Sequence, residues 1–317
     1  MRGLKPILAA IAILAGAVSL AAAQSYPARP VTMVVPFPPG GNTDLMARAL
    51  QTELAKALGQ SVIISNKGGA AGTLGILDLV KADADGYTFA MTPNNPITAQ
   101  PHLQQQSRYT MGTFRYVCLT YYAPYVLIAG PQAPFKTFAE FVTFAKAKSE
   151  NLVYGHPGVA GQPHLVMLGV LKAIGADGLG VPFQGAGPMS HALLGGTIMA
   201  ITESPAVAAA SNLPVLAAIS DERIAGLPNV PTMKELGFPA QGFSAGGLIV
   251  PAKTPDTVVA TLERACAKAT AAPEYKAIVD RLGAEPRYLP GAAFRKMFKQ
   301  DSVASAEAIR GAGLGQR

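Results

Sequence analysis

The chain has 317 residues and a formal net charge of +7, although only 14% of its residues are charged. It contains no dense Lys/Arg tract, so a nucleic-acid-binding role lacks its electrostatic footprint. A mild positive field suits small anionic ligands. Four histidines without H-E-x-x-H spacing, and two cysteines outside any C-x-x-C pair, give no basis for a metal centre.

The first 23 residues read as an export signal. Arg2 and Lys5 supply a basic start, residues 7–22 an apolar, small-residue core, and Ala21-Ala22-Ala23 a cleavage site. The core is short and alanine-rich and no stop-transfer pattern follows it, which argues against a retained anchor. Cleavage near Ala23 leaves roughly 290 residues for an exported protein, enough for one or two domains.

Residues 31–35 read as an apolar, β-branched strand ended by Pro36. A helix is expected from near Asp44, with Leu50, Leu54, Ala57 and Leu58 on one face and Gly59 as its stop. Between them runs Pro36-Phe37-Pro38-Pro39-Gly40-Gly41-Asn42-Thr43-Asp44. Its prolines stiffen the loop, and Gly40-Gly41 leaves a backbone that a ligand can approach closely. One reading is a rigid loop aimed at a carboxylate from a helix N-terminus, whose unpaired N–H groups and dipole attract anions. The other is a capped turn with Asn42, Thr43 or Asp44 as N-cap.

A strand at 62–64 follows, then a glycine-rich turn at 68–72, a helix at 74–80 and a strand at 87–91. This β-α-β-α-β order predicts a parallel sheet covered on both faces. Asn66 and Lys67 read as ordinary loop residues. The run from Gly68 to Gly75 lacks G-x-G-x-x-G spacing and a Lys-Ser/Thr pair, so it is neither a dinucleotide nor a P-loop fingerprint.

A second series starts with an extended run at 125–129. Thr137-Phe138-Ala139-Glu140 has capping-box spacing for a helix to about Lys148. Strands near 152–155, 180–183, 197–202 and 215–220 alternate with helical segments, including one at 165–174. A last extended run, 246–250, precedes a largely helical C-terminal part. Two α/β units predict two lobes with a site in the cleft beyond the strands' carboxyl ends. The loops there are 36–44, 92–96, 155–162, 184–188 and 202–205. None contains Lys or Arg, so backbone amides and neutral side chains must hold any carboxylate.

His156 and His164 flank the loop Gly158-Val159-Ala160-Gly161. His164 reads first as a residue packed or capping inside the next helix. Glu203 sits between a strand and Pro205, either as a first-turn carboxylate or as an acceptor for a donor on the ligand. Cys118 and Cys266 are a disulfide or two buried thiols, and spacing does not decide between them. No G-x-S-x-G elbow or exposed nucleophile supports an enzyme.

Several of these runs, taken in order, carry a resemblance. They are Tyr26-Pro27-Ala28-Arg29-Pro30, Val34-Val35 with the loop to Asp44, Asp85-Gly86-Tyr87-Thr88 and Val181-Pro182-Phe183-Gln184-Gly185. Leu194-Gly195-Gly196, Leu227-Pro228-Asn229-Val230-Pro231-Thr232, Glu235-Leu236-Gly237, Pro251-Ala252-Lys253-Thr254-Pro255 and Leu282-Gly283-Ala284-Glu285-Pro286 follow. Together they resemble the periplasmic substrate-binding proteins of tripartite tricarboxylate transporters, the TctC/Bug family.

The resemblance implies an α/β fold of two lobes, a Venus flytrap of the type II kind, each lobe a mixed, mostly parallel sheet flanked by helices. Residues 24–124 and 246–317 would form lobe 1 and residues 125–245 lobe 2, with crossover strands near 125–129 and 246–250. It further implies a monomeric receptor, without cofactor, that passes an organic acid to transporter membrane subunits. A ligand-sensing accessory protein is the alternative, and a secreted enzyme a weaker one.

Two loops would pinch a ligand carboxylate through backbone amides. Phe37, Gly40, Gly41, Asn42, Thr43 and Asp44 match the first, and His156, Val159, Ala160, Gly161 and His164 the second. Thr92, Asn94, Asn95, Gln184, Gly185 and Glu203 line the remaining cleft loops. The second loop departs from the family's usual Ser-Ala-Gly-Asn-Gly-Ser/Thr-x-x-His. Val159 stands where Asn is common, Ala160 where Gly is common and Gly161 where a hydroxyl is common, while His156 takes the place of a small polar residue. Fewer neutral donors and more apolar surface favour a mono- or dicarboxylic acid with an apolar or aromatic body over a polyhydroxylated one. Glu203 stands where Asp is common, keeping the charge and extending its reach.

Overall fold

In the computed structural model, residues 26–103, 108–183, 186–238 and 240–315 are described. The export signal and two of the expected site residues, Gln184 and Gly185, lie outside them. The chain lays down β1 (Val31–Val35), β2 (Val62–Asn66), β3 (Thr88–Pro93) and β4 (Phe114–Pro124) before it crosses to a second sheet. There it forms β5 (Val126–Ala129), β6 (Val153–His156), β7 (Leu179–Pro182), β8 (Ala200–Glu203) and β9 (Val215–Ala218), and it returns as β10 (Phe243–Pro251) and β11 (Glu285–Pro290). The first sheet has the order β11-β4-β10-β3-β1-β2 and the second β7-β6-β8-β5-β9.

Between the strands run α1 (Asn42–Leu58), α2 (Thr73–Lys81), α3 (Asn95–Thr98), α4 (Phe138–Ala147), α5 (Gln162–Ile174), α6 (Ala186–Leu194) and α7 (Pro205–Ser211). The C-terminal helices are α8 (Asp256–Ala271), α9 (Pro273–Arg281) and α10 (Gly291–Gly311). Each sheet buries both faces, as strands between helical layers must. Met33, Leu50, Leu54, Phe89, Leu262 and Tyr275 fill one side of the first sheet. Val34, Ile76, Ile249, Phe294 and Phe298 fill the other. Phe135, Phe141, Val170 and Leu216 pack on one side of the second sheet, and Ile128, Met189, Ile198 and Ile201 on the other.

The structure corrects the sequence reading in several places. β1 pairs in parallel with β2 and β3, but β10 runs antiparallel to β3 and β4, and β11 antiparallel to β4. The second sheet likewise has parallel pairs around β6 and antiparallel ones around β5. The sheets are therefore mixed rather than mostly parallel, because the strands that arrive from the other sheet run against the βαβ units. β11 falls in a region that reads as helical. Its two prolines cannot donate to a ladder, yet they are tolerated because the strand lies at the sheet edge.

The two helices that follow β1 and β6 start earlier than their apolar pattern suggests. Gly41 (φ −77°, ψ 166°) is the N-cap of α1, so Asn42, Thr43 and Asp44 lie inside its first turn. Gly161 (φ −63°, ψ 157°) caps α5, with Pro163 in its first turn. The capping box on Thr137 and Glu140 forms as expected. Cys118 on β4 and Cys266 on α8 are joined as a disulfide, with Cα atoms 6.5 Å apart.

Candidate functional site

The loop between β1 and α1 is held by one buried carboxylate. Asp44, 1% exposed, accepts hydrogen bonds at Oδ2 from the Gly40 N–H and the Arg48 Nε, each at 2.8 Å. Its Oδ1 accepts from Asn66 Nδ2 at 2.9 Å, and the same nitrogen donates to the Phe37 carbonyl at 3.0 Å. Burial pushes the Asp44 pKa up, but the hydrogen bonds from Arg48, Gly40 and Asn66 outweigh it and hold the group below its ordinary value. Asp44 thus shapes the loop, and its oxygens are occupied by protein donors. Asn66 completes the clamp from the end of β2. Its spacing from Asp44 carries no local signal that would reveal this.

The glycine-rich run after β2 supports the same loop from behind. A Cβ on Gly75 would lie 2.6 Å from Pro36 Cα and 2.7 Å from the Lys67 carbonyl oxygen, so only glycine lets α2 pack this close. What remains outward is exposed backbone at Gly40 and Gly41 and the first amides of a 17-residue helix. The amides of Asn42, Thr43 and Asp44 have no carbonyl one turn earlier, so the dipole and its unpaired donors point out of the loop.

The second loop, between β6 and α5, is more self-satisfied. The Gly161 N–H bonds the Gly158 carbonyl at 3.1 Å, and the Ala160 N–H bonds His164 Nδ1 at 3.0 Å. Pro163 removes another donor. Ala160 has φ +52° and is fully buried. Val159 is 56% exposed at the loop's tip.

His156 and His164 are both buried, and their rings stack with centroids 3.8 Å apart and planes within 5°. Burial, and then the neighbouring His156, push the His164 pKa down to about 4. Burial also lowers that of His156, with partial relief from the Gly158 backbone. His156 Nδ1 is buried without a hydrogen-bond partner among the described residues.

A pH dependence follows from His164. Below its ordinary pKa of 6.5 the unfolded chain takes up a proton that the folded one refuses until about pH 4. Stability is therefore expected to fall as pH drops from about 6.5 to about 4. In His164→Asn, urea melts at pH 7 and pH 5 should differ less than in the wild type.

Three of the other expected site residues have their side chains engaged within the protein. Thr92 Oγ1 donates to the Pro93 carbonyl at 3.0 Å. Asn94 donates to Asp301 Oδ2 at 2.9 Å and to the Phe243 carbonyl at 3.4 Å. Asn95 Nδ2 donates to the Ala160 carbonyl at 3.0 Å, and its Oδ1 accepts from Gln100 Nε2 at 3.1 Å.

Glu203 ends β8 opposite Val126, and its Oε2 accepts the Ser204 N–H at 2.7 Å. No cation pairs with it among the described residues, and burial raises its pKa. Tyr125 is pushed well up by burial and then by the Glu203 charge, against a weak pull from the Ser244 hydroxyl. Tyr121 is fully buried beside Ser244 and Thr43. Tyr121, whose hydroxyl is buried without a hydrogen-bond partner among the described residues, and Tyr125 therefore bring polar groups near Ser244, between Thr43 of α1 and Glu203 of β8. Sequence reasoning missed all three, although Tyr121 and Tyr125 stand in plain view where β4 gives way to β5.

The chain and its fold have parallels among known proteins. Residues 46–314 match the tripartite tricarboxylate transporter family receptor, TctC. Protein BugT of Bordetella pertussis is 33% identical over 289 residues, which cover 88% of each chain. MatC of Rhodopseudomonas palustris, solved with bound malate, is 29% identical, with a TM-score of 0.78 over 90% of this chain and 100% of its own. A second R. palustris protein, solved with adipate, is 25% identical, with a TM-score of 0.81 over 91% of this chain and 98% of its own. The two mixed sheets thus belong to a periplasmic binding protein fold, and this chain is a member of the TctC family of tripartite tricarboxylate transporter receptors.

Proposed function

We propose that the protein is a periplasmic receptor that closes over an organic carboxylate and delivers it to the membrane subunits of a tripartite tricarboxylate-type transporter. The observation that carries this reading is the exposed Gly40-Gly41 backbone at the N-terminus of α1, held in shape by Asp44. A carboxylate there would meet several N–H donors and the positive end of a long helix. Charge-assisted hydrogen bonds contribute about 1.5–3 kcal/mol each, and the dipole adds about 0.3–1 kcal/mol. No Lys or Arg is needed, which fits their absence from the cleft loops.

The second loop spends the Ala160 and Gly161 amides on itself, so it has less to offer an anion. In this reading the first loop supplies the general grip and the second supplies selectivity. Covering Val159 would contribute about 1–2 kcal/mol, which favours a mono- or dicarboxylic acid with an apolar or aromatic body. Two structural relatives were solved with malate and adipate, both dicarboxylates. The receptor is taken to act as a monomer after signal cleavage near Ala23.

The test is a carboxylate panel of malate, adipate, benzoate and citrate, read by thermal shift and calorimetry. Adipate or benzoate should raise the melting temperature in proportion to the logarithm of concentration over Kd, and citrate should bind more weakly. If no carboxylate shifts the melt or gives a binding isotherm, the reading fails.

A further inference from the structure

On the reading that a carboxylate lies between the two loops, we propose that Asn95 is a positioning residue that latches the second loop to the first lobe, and that Asp301 braces the segment that carries it. The cradle at the N-terminus of α5 would then take its binding shape only when the lobes meet. Asn95 belongs to the first sheet's half of the molecule, and the carbonyl it bonds, that of Ala160, to the other half. Its carboxamide oxygen is engaged by Gln100, so the side chain is oriented before the loops meet.

Ala160 sits in a left-handed conformation that is unfavourable for an L-residue. Its methyl is buried with Leu165 of its own lobe and with Ala99 and Ile309 of the other. The strain in the loop is thus offset by contacts that the opposite lobe provides.

Asp301 braces the short helix that carries Asn95. Its Oδ2 accepts from Asn94 Nδ2 at 2.9 Å and from Thr98 Oγ1 at 2.6 Å, on either side of Asn95. Asp301 is buried with no cation beside it among the described residues, and burial raises its pKa, so its worth lies in accepting hydrogen bonds rather than in charge. Separation of the lobes would leave the Ala160 carbonyl and the Asn95 amide to water, and would expose the Ala99–Ile309 contact. A binding-competent loop that is populated only in part weakens apparent affinity by that fraction.

The test is amide hydrogen exchange of residues 157–166 in the ligand-free protein, with calorimetric Kd values for the best-binding acid of the panel. Asn95→Ala and Asp301→Ala should speed exchange in that segment severalfold and raise Kd about fivefold to tenfold. Asp301→Asn should stay close to wild type in both, because its carbonyl oxygen can still take the bonds from Asn94 and Thr98. Circular dichroism and thermal melts confirm that each variant is folded. Unchanged exchange in Asn95→Ala would overturn the latch, and a raised Kd alone would then mark Asn95 as a direct ligand contact. Equal damage from Asp301→Asn and Asp301→Ala would overturn the part given to Asp301. Exchange is read without ligand, so a failure of the carboxylate reading shows in the panel and not in this experiment.

Discussion

Gly41→Val is expected to lower carboxylate affinity by at least about a hundredfold, which corresponds to losing about 2.7 kcal/mol, while the protein stays folded. Gly41 is the N-cap of α1 and is exposed, with its backbone in an ordinary extended conformation. A Cβ there meets nothing closer than the Pro38 carbonyl at 3.6 Å, so the fold has room for the side chain. The ligand does not, because the added methyl groups would stand where a carboxylate must approach the Asn42 and Thr43 amides. Two charge-assisted hydrogen bonds at about 1.5–3 kcal/mol each cover the expected loss.

Replacing a glycine N-cap by valine costs the helix about 1 kcal/mol or less, which a melt would register as a small shift. Gly40 is a worse choice for this test, because its φ of +82° makes any substitution strained by itself. Calorimetry on Gly41→Val with the best acid of the panel decides the matter. Wild-type affinity would mean that the ligand is held elsewhere.

The second large effect concerns stability. The Cys118–Cys266 disulfide closes a loop across 148 residues of sequence, which includes the whole of the second sheet. Cross-links over loops of this length stabilise by about 2–5 kcal/mol, chiefly by restricting the unfolded chain. The double variant Cys118→Ala/Cys266→Ala should therefore melt about 5–15 °C lower. Both cysteines are fully buried in the core of the first lobe, away from the loops that face the cleft. Ligand Kd should accordingly change by less than about twofold at temperatures where the variant is folded. A melt insensitive to the substitutions, and to reductant in the wild type, would show that the bond is absent from the protein in solution.

The sequence was most legible where structure is local. The strand at 31–35, the stop of α1 at Gly59 and the capping box at Thr137 and Glu140 depend on residues within a few positions of one another, and each formed where its pattern lies. The clamp on the first loop was not legible in this way. Asp44 and Gly40 are neighbours, but Asn66 is supplied by another strand, and it read as an ordinary loop residue. The tie from Asn94 to Asp301 spans 207 residues, and nothing in either neighbourhood announces it. The edge strand β11 was hidden because its prolines argue against a strand until its place at the sheet edge is known.

From its sequence alone, this protein's α/β class was determined, and the loop at 36–44 was marked as either a carboxylate grip or a capped turn. The first rests on apolar periodicity and the second on prolines and glycines between a strand and a helix, while the preference for the grip came from the resemblance carried by whole runs in order. Tertiary structure alone decided how the loop is used. It spent the Asp44 carboxylate on shaping the loop, moved the start of α1 to Asn42, paired the cysteines, and set Asn95 against Ala160 across the cleft. Those contacts join residues far apart in the chain, and their energies exist only once the sheets have brought the partners together.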